Sequence, residues 1–392
     1  MYKTLYLKKG KDASVRRYHP WIFSGAIERQ ESDIAEGETV RILDSEGTFL
    51  AVGHFQIGSI AVRILSFDDV VLDKIFLSER LRQAIQVRYD LNLFRADNSI
   101  CRIVHGEGDG LPGLVIDIYD KTAVIQAHSV GMHLWRKLIA EVLLELLPER
   151  LGSIYYKSDQ TLPFKADLDS ESGYLYGQDD VNVAVENGLK FQIDWLKGQK
   201  TGFFVDQREN RCLLEQFSRG KKVLNMFCYT GGFSVYAMRG GATLVHSVDS
   251  SARAIETTDT NVALNFEDTS RHQSFASDAF KFLSEMTEDY DIVILDPPAF
   301  AKHRDALHNA LKGYIRLNAA AMTKIKKGGI IFTFSCSQAV TPEQFRTAIF
   351  TAAARSRRVV KILYQLHQPA DHPVSIYHPE GEYLKGLVLY VE

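Results

Sequence analysis

From about residue 221 to residue 335, short runs that are apolar throughout alternate with stretches whose apolar positions recur at helical spacing. "KKVLNMF", "TLVHSVD", "YDIVILD" and "GIIFTFS" read as strands. "SVYAMRGGA", "ARAIETTDTNVALN" and residues 306–326 read as helices. Strands apolar on both faces and separated by helices predict a parallel sheet covered on both sides. In such sheets ligands lie beyond the carboxyl ends of the strands. That rule places Cys336, Asp296, Asp249 and the loop after Phe227 along one edge.

The pattern upstream is different. Residues 1–71 read as a small β-rich unit, because "GETVRILDSEGTFLAVGHF" alternates apolar and polar positions around the turn "DSEG" and "SIAVRILSF" adds a strand. Between 72 and 185, "DKIFLSERLRQAIQVRYDLNLF" and "MHLWRKLIAEVLLELL" have helical spacing, and the strands between them are broken by a glycine-rich turn. "VENGLKFQIDW" predicts a hairpin turning at Asn187-Gly188. The expected fold class is α/β, with domains at 1–71, 72–185 and 186–392.

Composition narrows the class. A chain of 392 residues exceeds one ordinary core, and 45% apolar with 24% charged residues is the profile of a soluble globular protein. No apolar run reaches the roughly 18 residues of a membrane span, and "MYKTLYLKKGKDASVRRYHP" lacks the apolar segment of a secretory signal. Cys101, Cys212, Cys228 and Cys336 form no CxxC pair, so neither a zinc site nor a disulfide framework is expected, and a reducing cytoplasm suits them. The net charge of −3 hides two basic clusters: seven Lys/Arg against two acids in residues 1–30, and seven against one in residues 300–327. Clustered positive charge in a near-neutral chain points to a nucleic-acid backbone as partner, with Lys8, Lys9, Arg16, Arg17, Lys302 and Arg304 as its contacts. A solvated helix face explains either cluster alone equally well.

The candidate chemistry sits at the strand ends. "VLNMFCYTGGFSVYA" is a strand, a glycine turn and a helix, and Gly231 would let the backbone approach a ligand where a Cβ would clash. Asp249 follows at the next strand end, where a carboxylate can accept from ribose hydroxyls. Asp278 stands near a third strand end, and Asp296 opens "DPP", whose prolines cannot continue a ladder. Singly, each Asp reads equally well as a cap or turn residue. There is no GxGxxG for a dinucleotide and no GK[ST] for a triphosphate. In chain order the set resembles the S-adenosylmethionine (SAM) pocket of a class I methyltransferase.

"HPWIFSGAI", "GEGDGLPGL", "KTGFFVDQRENR", "FCYTGGFS", "DPPAF", "FTFSCS" and "ADHPVSIYHPEGEYLKG" are similar, in the same order over nearly the whole chain, to the bacterial RlmI-type family of large-subunit ribosomal RNA cytosine-5 methyltransferases. The resemblance implies an N-terminal RNA-binding PUA domain, a central α/β domain and a C-terminal Rossmann-like methyltransferase. It implies SAM contacts at Gln207, Arg208, Phe227, Gly231, Asp249, Asp278 and Asp296, and it makes Cys336 a nucleophile toward C6 of the base. Expected partners are RNA, specifically 23S ribosomal RNA, and a second copy of the chain in a homodimer, although nothing in the sequence fixes the oligomeric state. Many RNA cytosine-5 methyltransferases carry a second Cys after "DPP"; here that position is Ala299, and the base that removes the C5 proton is not legible. Competing readings are a uridine-5 methyltransferase, an adenine amino methyltransferase, and an RNA-binding assembly module with an idle pocket.

Overall fold

The computed structural model describes residues 2–162, 168, 171–178, 181–300 and 306–392. The chain forms two compact units. One comprises residues 1–185, 193–205 and 370–381; the other comprises 186–192, 206–369 and 382–392. Among the described residues no helix is long and apolar enough to cross a membrane.

The first unit contains two sheets. Six strands between Lys3 and Ser66 form one, with alternating burial along Lys3–Leu7 and Thr39–Leu43 that leaves one face dry. Five strands between Ile100 and Tyr176 form the other, and the helices Lys74–Asp90 and Arg136–Leu146 contribute Leu77, Leu81, Ile139 and Leu143 to its core. Asp73 starts the first of these helices by accepting from the Phe76 amide at 3.0 Å. The predicted hairpin is present as Val183–Glu186 and Leu189–Gln192. Its turn residues Asn187 and Gly188 both have positive φ, 49° and 79°, as a two-residue turn matched to strand twist requires.

A buried ion network fastens this unit. The Arg88 side chain has no solvent exposure; it holds both oxygens of Asp109 at 2.5 and 2.8 Å and donates to the carbonyls of Ala84, Arg102 and Asp371. Arg102 in turn grips Asp117 at 2.7 and 2.8 Å, and its amide donates to the Asp371 carboxylate at 3.0 Å. Gly108 lies so close to the segment carrying Asp371 that a Cβ would sit 1.9 Å from the Pro373 carbonyl oxygen.

The second unit is the doubly wound sheet that the sequence pattern predicts. Its strands are β1 (Lys222–Met226), β2 (Leu244–Asp249), β3 (His272–Ala276), β4 (Ile292–Leu295), β5 (Gly329–Ser335), β6 (Val360–Leu366) and β7 (Lys385–Val391). They lie in the order β3-β2-β1-β4-β5-β7-β6. The first five are parallel, while β7 runs antiparallel to both β5 and β6. The helices are α1 (Arg208–Phe217), α2 (Gly232–Arg239), α3 (Ala252–Asn265), α4 (Ala279–Glu285), α5 (Leu307–Lys324) and α6 (Pro342–Ser356). Helix α6 begins with a capping box between Thr341 and Gln344 and a proline in its first turn. Leu295, Tyr314, Leu317, Ile331, Phe345 and Leu389 fill the core between α5, α6 and the sheet.

Breaking the Arg88 network leaves a buried carboxylate uncompensated. Arg88→Met is expected to lower unfolding free energy by roughly 3–5 kcal/mol in urea titrations, and adding Asp109→Asn is expected to recover part of that loss. A single-mutant loss below about 1 kcal/mol would contradict this account.

Candidate cofactor and catalytic site

The turn after β1 is conformationally costly. Phe227, Tyr229 and Gly231 have φ of 59°, 48° and 77°, and two of these are aromatic residues that ordinarily avoid the left-handed region. Neighbouring elements hold it there. The Tyr229 amide donates to Asp249 Oδ2 at 3.0 Å, the Cys228 amide to the Val248 carbonyl at 3.0 Å, and Asn261 Nδ2 to the Thr230 carbonyl at 2.7 Å. The other Asp249 oxygen accepts from the Ser251 amide at 2.9 Å. At Gly231 a Cβ would meet Thr258 Cγ2 on α3 at 2.6 Å. Close helix packing and a left-handed φ both call for a glycine here.

Asp296 follows β4 and is held from α1's approach: Gln207 Nε2 donates to its Oδ2 at 3.0 Å, and Asn210 Nδ2 fixes the Gln207 carbonyl at 2.6 Å. Gln207 is therefore a buried positioning group for Asp296. Arg208, also buried, lies 3.6 Å from Glu186, which Arg211 binds at 2.9 and 2.8 Å. Asp278 caps α4 by accepting from the Lys281 amide at 2.9 Å, with the residue exposed.

Cys336 comes one residue after β5 and is half-buried. Beside it, Ser335 Oγ donates to Tyr314 Oη at 2.9 Å. Burial pushes the Tyr314 phenol up to about 12, against the Ser335 hydrogen bond, and the phenol lies within electrostatic range of both Cys336 and Asp296. A cation within electrostatic range of the thiol is Lys385, which faces Ser335 across the β5–β7 ladder and donates to the Ser337 carbonyl at 2.7 Å. Burial pulls the Lys385 ammonium down to about 8, while the Cys336 and Glu382 charges oppose that shift. Lys385 carries little signal in the sequence beyond one lysine entering the apolar run "KGLVLYV". Lys302 and Arg304, expected above as nucleic-acid contacts, lie outside the described residues. Cys228 is buried, and that burial pushes its thiol far up, as befits a packing residue. Phe233 packs on Phe334 and Phe300 on Tyr314, at ring separations of 5.7 and 4.8 Å.

Lys8, Lys9, Arg16 and Arg17 are all exposed. Arg16 is already paired with Asp12 at 2.5 Å and Asp44 at 2.6 Å, whereas Lys8 and Arg17 donate only to the neutral carbonyls of Gly25 and Ala13 in the contacts described. In the second cluster, Arg316 stacks over Phe280 and Lys326 pairs with Asp291.

Sheet order, the clamped turn after β1 and the strand-end carboxylates together define a class I methyltransferase fold. Residues 159–381 match the family model for S-adenosylmethionine-dependent methyltransferases, and residues 5–67 match a PUA-like domain. A protein from Streptococcus mutans described as a SAM-dependent methyltransferase superposes with a TM-score of 0.85 at 22% identity, over 99% of this chain and 100% of its own. Another solved methyltransferase, in complex with S-adenosylhomocysteine, gives 0.86 at 23% over the same shares. Among full-length relatives, ribosomal RNA large subunit methyltransferase I of Aeromonas hydrophila is 40% identical over 99% of both chains, and that of Pseudoalteromonas translucida is 39% identical over 100% of both. The chain belongs to the ribosomal RNA large subunit methyltransferase I family.

A cation beside a thiol favours the thiolate. Lys385→Met is expected to slow iodoacetamide alkylation of Cys336 at pH 7 roughly tenfold. The wild-type advantage is present while Lys385 is charged and fades as pH rises through about 8. Peptide mapping follows each thiol, with Cys228 unlabelled in both proteins. Equal Cys336 rates across that range would detach Lys385 from the thiol.

Proposed function

We propose that this chain is a cytoplasmic enzyme that methylates C5 of a cytosine in 23S ribosomal RNA, with Cys336 as covalent nucleophile. The observation that carries the reading is the half-buried thiol at the end of β5, beside the buried Lys385 and near Asp296. The matched family, its named relatives and the S-adenosylhomocysteine-bound structural neighbour support SAM as methyl donor.

The turn at Phe227–Gly231 and the Asp249 carboxylate suit the nucleoside part of SAM, with Asp278 within the same strand-end row. When bound, SAM supplies an electrophilic methyl group. The Cys336 thiolate adds to C6 of a base taken out of its stack, and the electron pair of the C5–C6 double bond makes C5 nucleophilic. After methyl transfer the C5 proton leaves to a base, the S–C6 bond breaks and the double bond re-forms. Asp296, oriented by Gln207, is suited to accept from the cytosine exocyclic amine. Uridine presents a carbonyl at that position, which a carboxylate repels. That contrast favours cytosine.

Cys336→Ala is expected to abolish methylation while SAM affinity stays within about twofold in calorimetry. RNA containing 5-fluorocytosine is expected to trap the wild-type enzyme and Cys228→Ala covalently, because fluorine at C5 blocks the final proton loss. Substantial activity in Cys336→Ala would instead favour an amino methyltransferase acting through "DPPAF". Trapping by 5-fluorouracil RNA alone would move the target to uridine.

The PUA-like region supplies RNA affinity through charges that the fold has not already paired. Replacing Lys8, Lys9 and Arg17 by Ala is expected to reduce the slope of log affinity against log salt by roughly 2. Arg16→Ala changes it least, because Asp12 and Asp44 already neutralise that guanidinium. A slope unaffected by the triple variant would make this cluster a solvated surface only.

A further inference from the structure

Away from the methyltransferase site, within the first unit, three side chains from opposite ends of the chain converge. His19, His378 and Glu380 each offer one ligand atom, and those atoms all lie within 4.8 Å of one another. His19 Nε2 is 3.4 Å from Glu380 Oε1, and His378 Nε2 is 3.7 Å from Glu380 Oε2. Four-coordinate zinc with bonds of about 2.0–2.1 Å separates its ligand atoms by about 3.3 Å, so a small closure of this cluster makes a binding site.

A second observation singles out His378. It is 3% exposed, yet neither ring nitrogen has a hydrogen-bond partner among the described residues. Buried polar atoms are overwhelmingly partnered, and leaving one unpartnered costs roughly 1–3 kcal/mol. The ring is gripped by its surroundings: Trp21 meets it edge-on at 4.3 Å, and Trp21 Nε1 is fixed on Glu107 at 2.7 Å. His19 has its outer support as well. A metal on Nε2 selects the tautomer whose Nδ1–H donates to the Trp21 carbonyl at 3.3 Å, in place of accepting from the Trp21 amide at 3.2 Å. Glu380 is half-exposed and gives an entry path.

We propose that His19 Nε2, His378 Nε2 and the Glu380 carboxylate bind one zinc-class divalent transition ion. Two imidazoles and a carboxylate suit zinc or cobalt and discriminate against magnesium and calcium, which take oxygen ligands. Three protein ligands leave a coordination position for water. The ion ties the segment carrying His378 and Glu380 to the strand Trp21–Phe23.

The test uses the untagged, chelator-stripped full-length chain. Calorimetric titration with Zn2+ is expected to show one tight equivalent, and Co2+ to give the visible spectrum of a tetrahedral nitrogen–oxygen site with partial quenching of tryptophan fluorescence through Trp21. Glu380→Gln, at a half-exposed position that leaves the fold intact, and His378→Phe, which keeps the ring volume, are each expected to weaken binding at least tenfold. Cys336→Ser is expected to leave it unchanged. The absence of a saturable equivalent, undiminished binding in Glu380→Gln, or a thiolate-to-cobalt charge-transfer band would each overturn the proposal.

Discussion

The site depends on one strand pairing. β5 and β7 are matched over seven positions, from Gly329 opposite Val391 to Ser335 opposite Lys385. Because side chains alternate between faces, a slip of one residue would turn Lys385 to the other side of the sheet. The register is held by the apolar core that Ile331, Leu387 and Leu389 share with α5 and α6. Packing energy along the whole strand thus specifies where one ammonium stands. That ammonium is itself an electrostatic cost of the fold, since it is buried and pulled down to about 8, and its Ser337 contact recovers part of the cost.

The sequence motifs divide between two tasks. "FCYTGGFS", "DPPAF" and "FTFSCS" carry the strand-end groups of the methyltransferase unit. "HPWIFSGAI", "GEGDGLPGL" and the first part of "ADHPVSIYHPEGEYLKG", through Gly381, meet in the other unit, where Trp21 binds Glu107, Arg88 binds Asp109, and Gly108 accommodates Pro373; the end of the third motif carries Lys385 of β7. A motif shared with a family can therefore report an architectural contact as readily as a catalytic one. Gln207 shows both in one residue: it is buried like a core group, and its amide sets the orientation of Asp296.

Much of the second unit was legible, because parallel strands and their helices announce themselves through local periodicity and the strand-end rule then aligns Cys336 with Asp296 and Asp249. The turn at Asn187-Gly188 was legible for the same reason: its conformation is decided within two residues. What escaped depends on pairings distant in sequence. Lys385 meets Ser337 across 48 positions by way of an antiparallel edge that the alternating pattern does not foretell, and Gln207 meets Asp296 across 89. The Arg16 pair with Asp44 was likewise hidden, because Asp44 lies in the turn after another strand. The Thr258 contact that crowds Gly231 comes from α3 and is a contact that only the folded packing reveals.

The position of Asp371 has a consequence for how the chain is made. Arg88 and Arg102 take their last partners from a residue 283 and 269 positions downstream, in a segment that belongs to the first unit. At synthesis rates of about 5–20 residues per second, roughly 15–55 s separate the emergence of Arg88 from that of Asp371. Throughout that interval the nascent first unit holds Ala84, Arg102 and Asp109 as acceptors for the Arg88 guanidinium but lacks the Asp371 carbonyl, and the Arg102 amide lacks the Asp371 carboxylate. The half of the protein that leaves the ribosome first is thus completed almost last. The last contacts of its ion network become available only after the sequence of all five parallel strands of the methyltransferase sheet has been translated, so completion of the first unit does not simply follow the order of translation.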